Sequence, residues 1–227
     1  LFFLLFSQLV FAARTVHIHV FDAPIYTAHG RKVNSLFQQK LQSCPNCKLH
    51  HYPIYSIQGH FLEAEFPEIL SKASVKAKNL GGLQHIFHFS WNIPSTPKTE
   101  KIETSLTKLV QQKFILVGAS GKSSTPGRPF YKLSDTVLGK IQGSFLIGEL
   151  NHKGRLVPGS NYGPELFTAL PRIEKLPGSS YTAILFTSRL AQEASRLGNS
   201  FVLNKIQKNR KKNPVQLYPD LISLFAD

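Results

Sequence analysis

From Thr15 to Ser120 the chain alternates short runs of β-branched and aromatic residues with longer stretches whose apolar residues recur at helical spacing. No other feature restricts the fold as much. The run TVHIHVFD, Thr15 to Asp22, alternates strongly and reads as a strand ending at Asp22. Ala28 to Gln42 then has the pattern of a helix. Further strands are expected at KLHHYPIY (Lys48 to Tyr55), LQHIFHFSW (Leu83 to Trp91) and KFILVGAS (Lys113 to Ser120), with helices at Phe66 to Asn79 and Ile102 to Gln112 between them. Strands and helices in alternation imply crossover connections and therefore a parallel sheet. The expected fold class is α/β, a parallel β-sheet flanked by helices. Beyond it, Gly121 to Pro129 is rich in Gly, Ser and Pro and reads as loop. Two shorter strand candidates, VLGKIQGSFLIGEL (137–150) and GRLVPGSNYG (154–163), precede a helix expected over Ser180 to Leu197.

The 227 residues suit a single domain. Its expected limits are 14–200, because both ends of the chain differ in character. Leu1 to Ala13, LFFLLFSQLVFAA, has no charge, is too short to span a bilayer and ends in small residues, so it reads as a signal peptide truncated at its start. A secreted or periplasmic protein follows from that reading. At the other end, 201–227 is a basic segment containing KIQKNRKKN. The net charge of +14 makes the whole surface basic, suited to an anionic envelope surface, a nucleic acid or an acidic substrate; the plainer reading of the tail is a solvated segment. Cys44 and Cys47 lie close together in a Pro- and Asn-bearing turn, SCPNCK. In an oxidising compartment such a pair suits a small structural disulfide better than a redox pair, and zinc would need a second pair of cysteines.

Acyl transfer needs a hydroxyl nucleophile, an imidazole base and a carboxylate that orients the imidazole. Asp22 closes the first strand, His29 starts the following helix in AHGRKV, and Ser180 stands in PGSSYTAILFTSRLA, where Pro177 and Gly178 break the chain before a helix. Ligands of open parallel sheets bind at the carboxyl ends of the strands, where Asp22, Ser90 and Ser120 fall. Taken singly, Asp22 and Ser180 have ordinary roles as helix caps and His29 as a surface residue.

Together, in the order Asp, His, Ser, these segments resemble the subtilisin-like serine proteases. Asp follows a hydrophobic strand, His stands in HGxxV, and Ser lies in a G-S/T-S turn opening a helix. KLHHYPIY, HIFHFSWN, ILVGASGK and SNYGPELFTALP resemble further family segments in the right order, from about Thr15 to Ala194. The resemblance implies a three-layer fold and an endopeptidase in which Asp22 orients His29, His29 is the general base and Ser180 is the nucleophile. It also implies that Ser90, Trp91 and Asn92, with Gly118, Ala119 and Ser120, line the substrate groove and its specificity pocket, where Trp91 narrows or covers the opening. Protein or peptide substrate, no cofactor and a monomeric state belong to the same expectation.

The chain departs from the family at several positions. Lys122 stands where the family has an asparagine that donates to the oxyanion, a donor whose loss costs about 10²- to 10³-fold in rate. Arg31 replaces a Thr and Ile184 a Pro, and only six residues separate Asp22 from His29. The alternative is a subtilisin-like pseudoenzyme that binds peptides; the three retained triad residues favour the enzyme, and Lys122 favours the binder. A phosphate-binding loop at VGASGKSS is disfavoured, since Leu116 stands where the pattern needs a glycine. His17 with His19, and likewise His85 with His88, lie on strands, where residues two apart share a face. Core or edge packing explains them better than metal ligation, and no Asp-rich loop suggests calcium.

Overall fold

The computed structural model describes residues 14–80, 84–121, 131–158, 160–173 and 176–198. The expected signal segment, Lys122 and the basic segment 201–227 lie outside the described residues. Strands β1 (Val16–Asp22), β2 (Cys47–Pro53), β3 (His85–Phe89), β4 (Ile115–Ala119), β5 (Phe145–Leu150) and β6 (Leu166–Pro171) form one sheet. Its order is β2-β1-β3-β4-β5-β6, and every neighbouring pair is parallel. Helices α1 (Ala28–Lys40), α2 (Phe66–Asn79), α3 (Glu100–Gln111) and α4 (Ser179–Leu197) complete the domain.

The chain leaves β1 in one direction to build β2 and returns past β1 to build β3. Right-handed crossovers then put the first helix and the next two on opposite faces. Accordingly Val16, Ile18 and Val20 of β1 pack with Val33, Leu36 and Phe37 of α1 and with Ala183, Ile184 and Leu190 of α4. Phe21 packs on the other face with Phe66 and Leu70 of α2, and Ile102 and Leu106 of α3 share that core. The expected three-layer architecture is therefore present. The reversal of direction falls between β1 and β3, and such a switch point opens a crevice at the strands' carboxyl ends.

The periodicity placed β1 to β4 and their helices to within a few residues, but the later strands differ. Of 137–150 only Phe145–Leu150 is strand, because the preceding residues form a tight turn in which Gly139 lies directly against the Leu133 carbonyl. The described part of 154–163 contributes only isolated bridges, and the sixth strand is Leu166–Pro171. The Gly- and Asn-bearing stretch 154–163 is thus, where described, a connection that leads into the strand and not the strand itself.

The histidines divide between the faces. His17, His19 and Phe21 alternate on β1 beneath α2 and α3, beside His50 and Tyr52 of β2 and His85 and Phe87 of β3. Nδ1 of His17 lies 2.9 Å from Nε2 of His50, and Nε2 of His19 lies 3.2 Å from Nδ1 of His85. His19 stacks on Phe87 with ring centres 4.7 Å apart. Burial, with the neighbouring imidazoles and Lys76, pushes His19 down to about 2 and His50 to about 4, so these rings stay neutral. His85 and His88 are three apart and face opposite ways, correcting the expectation that they share a face. Among the described residues no group of three or more His, Cys, Asp or Glu side chains is arranged to hold a metal ion. Cys44 and Cys47 are joined in a disulfide.

Candidate active site

At the switch point stands Asp22, which ends β1 and is only 1% exposed. Its Oδ1 accepts the backbone N–H of Ala23. The chain then turns within a few residues: the Thr27 N–H and hydroxyl both donate to the Pro24 carbonyl, and Thr27 Oγ1 caps α1 by accepting the N–H of Gly30 at 3.1 Å. This turn lies so close to the helix that a β-carbon at Gly30 would sit 2.2 Å from the Pro24 carbonyl oxygen. Glycine after His29 is what lets so short a link reach from carboxylate to imidazole.

His29 consequently lies in the first turn of α1, with Nε2 3.2 Å from Asp22 Oδ1. Burial alone would raise the pKa of Asp22, but hydrogen bonds and charge from His29, with help from Ser90 and the Ala23 N–H, hold it below its ordinary value. The hydrogen bond to Asp22 raises His29, burial opposing it. With its Nε2 proton committed to Asp22, the neutral ring carries its lone pair on Nδ1. That nitrogen is 3.3 Å from the Tyr181 hydroxyl.

The opposite wall comes from the end of β3 and the start of α4. His88, fully buried, faces Thr187 at 2.8 Å through Nδ1 and the Ser90 hydroxyl at 3.0 Å through Nε2. Desolvation pushes its pKa down to about 4, so it acts here as a neutral buttress for Ser90. Ser180 is the second residue of α4, where a backbone N–H has no intrahelical acceptor. Its hydroxyl donates to the carbonyl of Ser90 at 2.6 Å. No hydrogen bond joins Ser180 to His29 among the described residues; Tyr181, the next residue, occupies the free imidazole nitrogen.

The other expected groove residues have mostly structural roles. Trp91, 5% exposed, packs among Phe61, Phe66 and Phe89 and is part of the core. A large ring next to a strand end found the apolar layer beneath α2. The Asn92 amide donates to Thr136 Oγ1 at 2.9 Å and to the Ser120 carbonyl at 3.3 Å, while its Oδ1 accepts Leu138 N–H at 3.1 Å. Its polar atoms join loops. Gly118, Ala119 and Ser120 are buried at the end of β4, and a β-carbon at Gly118 would meet Leu138 at 2.5 Å. Four residues outside the sequence reading also shape the site: Tyr181 on His29, Ser179, whose hydroxyl accepts the Gly121 N–H at 3.1 Å, Asn161, which donates to the Ser120 carbonyl at 2.9 Å, and Glu149.

No protein-family model and no curated protein matches the sequence. Solved structures do. The S41 psychrophilic protease superposes with a TM-score of 0.68 at 12% identity, over 87% of this chain and 84% of that one. MycP1 from Mycobacterium smegmatis gives 0.62 at 15% identity over 87% and 74%, and the prenylagaramide maturation protease PagA gives 0.58 at 14% over 92% and 82%. The chain has the subtilisin-like fold. At 12 to 15% identity these matches convey the fold alone.

Proposed function

We propose that this subtilisin-like chain is a serine endopeptidase that cleaves peptide bonds through Asp22, His29 and Ser180 by way of an acyl-enzyme. The observation that carries the reading is the buried Asp22 carboxylate fixed on His29 Nε2 at the sheet's switch point, beside the helix start that bears Ser180. Asp22 leaves Nδ1 of His29 as the base. Catalysis then requires the Ser180 hydroxyl to leave the Ser90 carbonyl and Tyr181 to give up Nδ1 to it. The oxygen then attacks the scissile carbonyl carbon as its proton passes to His29, and Asp22 stabilises the imidazolium. His29 returns the proton to the leaving amine, and water attacks the ester in the second half, again deprotonated by His29. The Ser180 N–H, together with Lys122, supplies the donors for the oxyanion. Export to a secreted or periplasmic setting, residence as a monomer and attachment of 201–227 to an anionic envelope surface belong to the same proposal.

The second reading, a peptide-binding pseudoenzyme, is favoured by one observation: Ser180 is hydrogen-bonded to a carbonyl and His29 to Tyr181. A fluorophosphonate probe separates the two. Covalent labelling of the folded protein, abolished in Ser180→Ala, is the expected result; a folded wild-type protein that takes up no label is a binder.

A further inference from the structure

The α/β sheet places one carboxylate where an apolar side chain would be expected. Glu149 lies on β5 with the rest of that strand buried, and is itself 1% exposed. Its Oε1 accepts the Arg172 Nε–H at 2.7 Å and the backbone N–H of Gly178 at 3.0 Å. Arg172 follows β6, and Gly178 is the N-cap of α4, at φ +130°, two residues before Ser180. A non-glycine residue is strained at that angle, so glycine lets the turn form, and its conformational freedom leaves the direction of the turn to its hydrogen bonds. The next strand residue back adds one: Thr182 Oγ1 lies 3.0 Å from the Gly148 carbonyl, on the other side of Ser180.

A carboxylate buried at a sheet end is costly unless compensated, and removing it would leave the Gly178 N–H without its acceptor. Arg172 neutralises the charge and is itself 40% exposed. The group that touches the turn is Glu149. Resting on the reading of Ser180 as nucleophile, we propose that Glu149 is a positioning residue: Arg172 holds its carboxylate, the carboxylate holds Gly178, and Gly178 sets where the Ser180 hydroxyl and N–H point.

Two readouts test this, one independent of catalysis. In Glu149→Ala the Gly178 amide should exchange with deuterium at least tenfold faster than in wild type while the core of α4 keeps its protection, and kcat on a peptide should fall at least tenfold with KM little changed. Glu149→Gln, which retains an acceptor oxygen, should restore most of both. Should the alanine variant not fold, the double variant Glu149→Leu with Arg172→Met removes the ion pair as a unit, an exchange that buried pairs often tolerate, and should show the same two losses. Unchanged exchange at Gly178 in the folded variants overturns the proposal. Altered exchange with no label on wild type instead sinks the peptidase reading and leaves Glu149 as the hold on the turn; altered exchange with unchanged kcat in an active enzyme overturns its positioning role.

Discussion

Acidification to pH 5 should weaken this fold by several kcal/mol, through histidines that the native state keeps neutral. An unfolded histidine titrates near 6.5, whereas His19 is pushed down to about 2 and His88 to about 4. Because each folded value lies below the unfolded one, the unfolded chain binds more protons below pH 6.5, and stability falls as pH falls. The loss approaches about 1.4 kcal/mol per pH unit per group once the unfolded histidine is mostly protonated, so between pH 6.5 and 5 the two cost about 3 kcal/mol together. His50, also lowered but partly exposed, adds less because solvent screens it. His29 is raised, so it is protonated in both states below 6.5 and contributes nothing in this window; its stabilising effect is lost as pH rises through its folded value. Asp22 is lowered, and its contribution is lost only in more acid solution. Against a total of about 5 to 15 kcal/mol for a domain, about 3 is a large share. Urea unfolding followed by the fluorescence of Trp91, buried and the sole tryptophan, reads the effect. The midpoint should drop by about 1 to 2 M between pH 7 and pH 5. His19→Phe, an aromatic substitution in an aromatic stack, should remove about half of that drop. Equal midpoints at the two pH values, or an unchanged pH slope in His19→Phe, would refute the reasoning.

Three further outcomes are expected. Asp22→Asn should lower kcat by about 10³- to 10⁴-fold and drop the His29 pKa seen by NMR titration, because the hydrogen bond that raises it loses its charge. Tyr181→Phe should raise that pKa, since a donor to the neutral imidazole nitrogen disappears; a fall would mean that the hydroxyl does not donate to Nδ1. Cys44→Ser with Cys47→Ser should cost about 2 kcal/mol in urea unfolding, the modest figure for so short a closed loop.

The parts of the fold that could be read from sequence are those with strong periodicity. β1 to β4 have runs of alternating or wholly apolar residues, and the helices between them have clear faces, so their order dictated a parallel sheet. β6 was missed because LFTALP is short and ends in proline, while the Gly- and Asn-bearing stretch before it imitated a strand. At the site, Asp22, His29 and Ser180 were legible as element ends bearing chemistry, and Asp22 and His29 do meet. The ring packing of Trp91 and the loop-joining bonds of Asn92 are not legible in the sequence, because the direction of a side chain at a strand end is set by packing, which no local pattern records. Tyr181 had a signal of a kind, an aromatic with a polar tip directly after Ser180. Glu149 had one too, an acidic residue in an otherwise apolar strand, and such a residue asks for a partner.

The short link between Asp22 and His29 bears on the order of events during folding. Strand end, turn and helix start are contiguous, so carboxylate and base can find each other as a local unit at little entropic cost. Ser180 arrives from more than a hundred residues away on a helix that lies across β1, β3, β4 and β5 and against α1. Contacts so distant in sequence are slow to form. Asp22 and His29 are thus kept apart from Ser180 until the last helix docks, and under the proposed function a nascent or half-folded chain would have no complete means of cutting its neighbours.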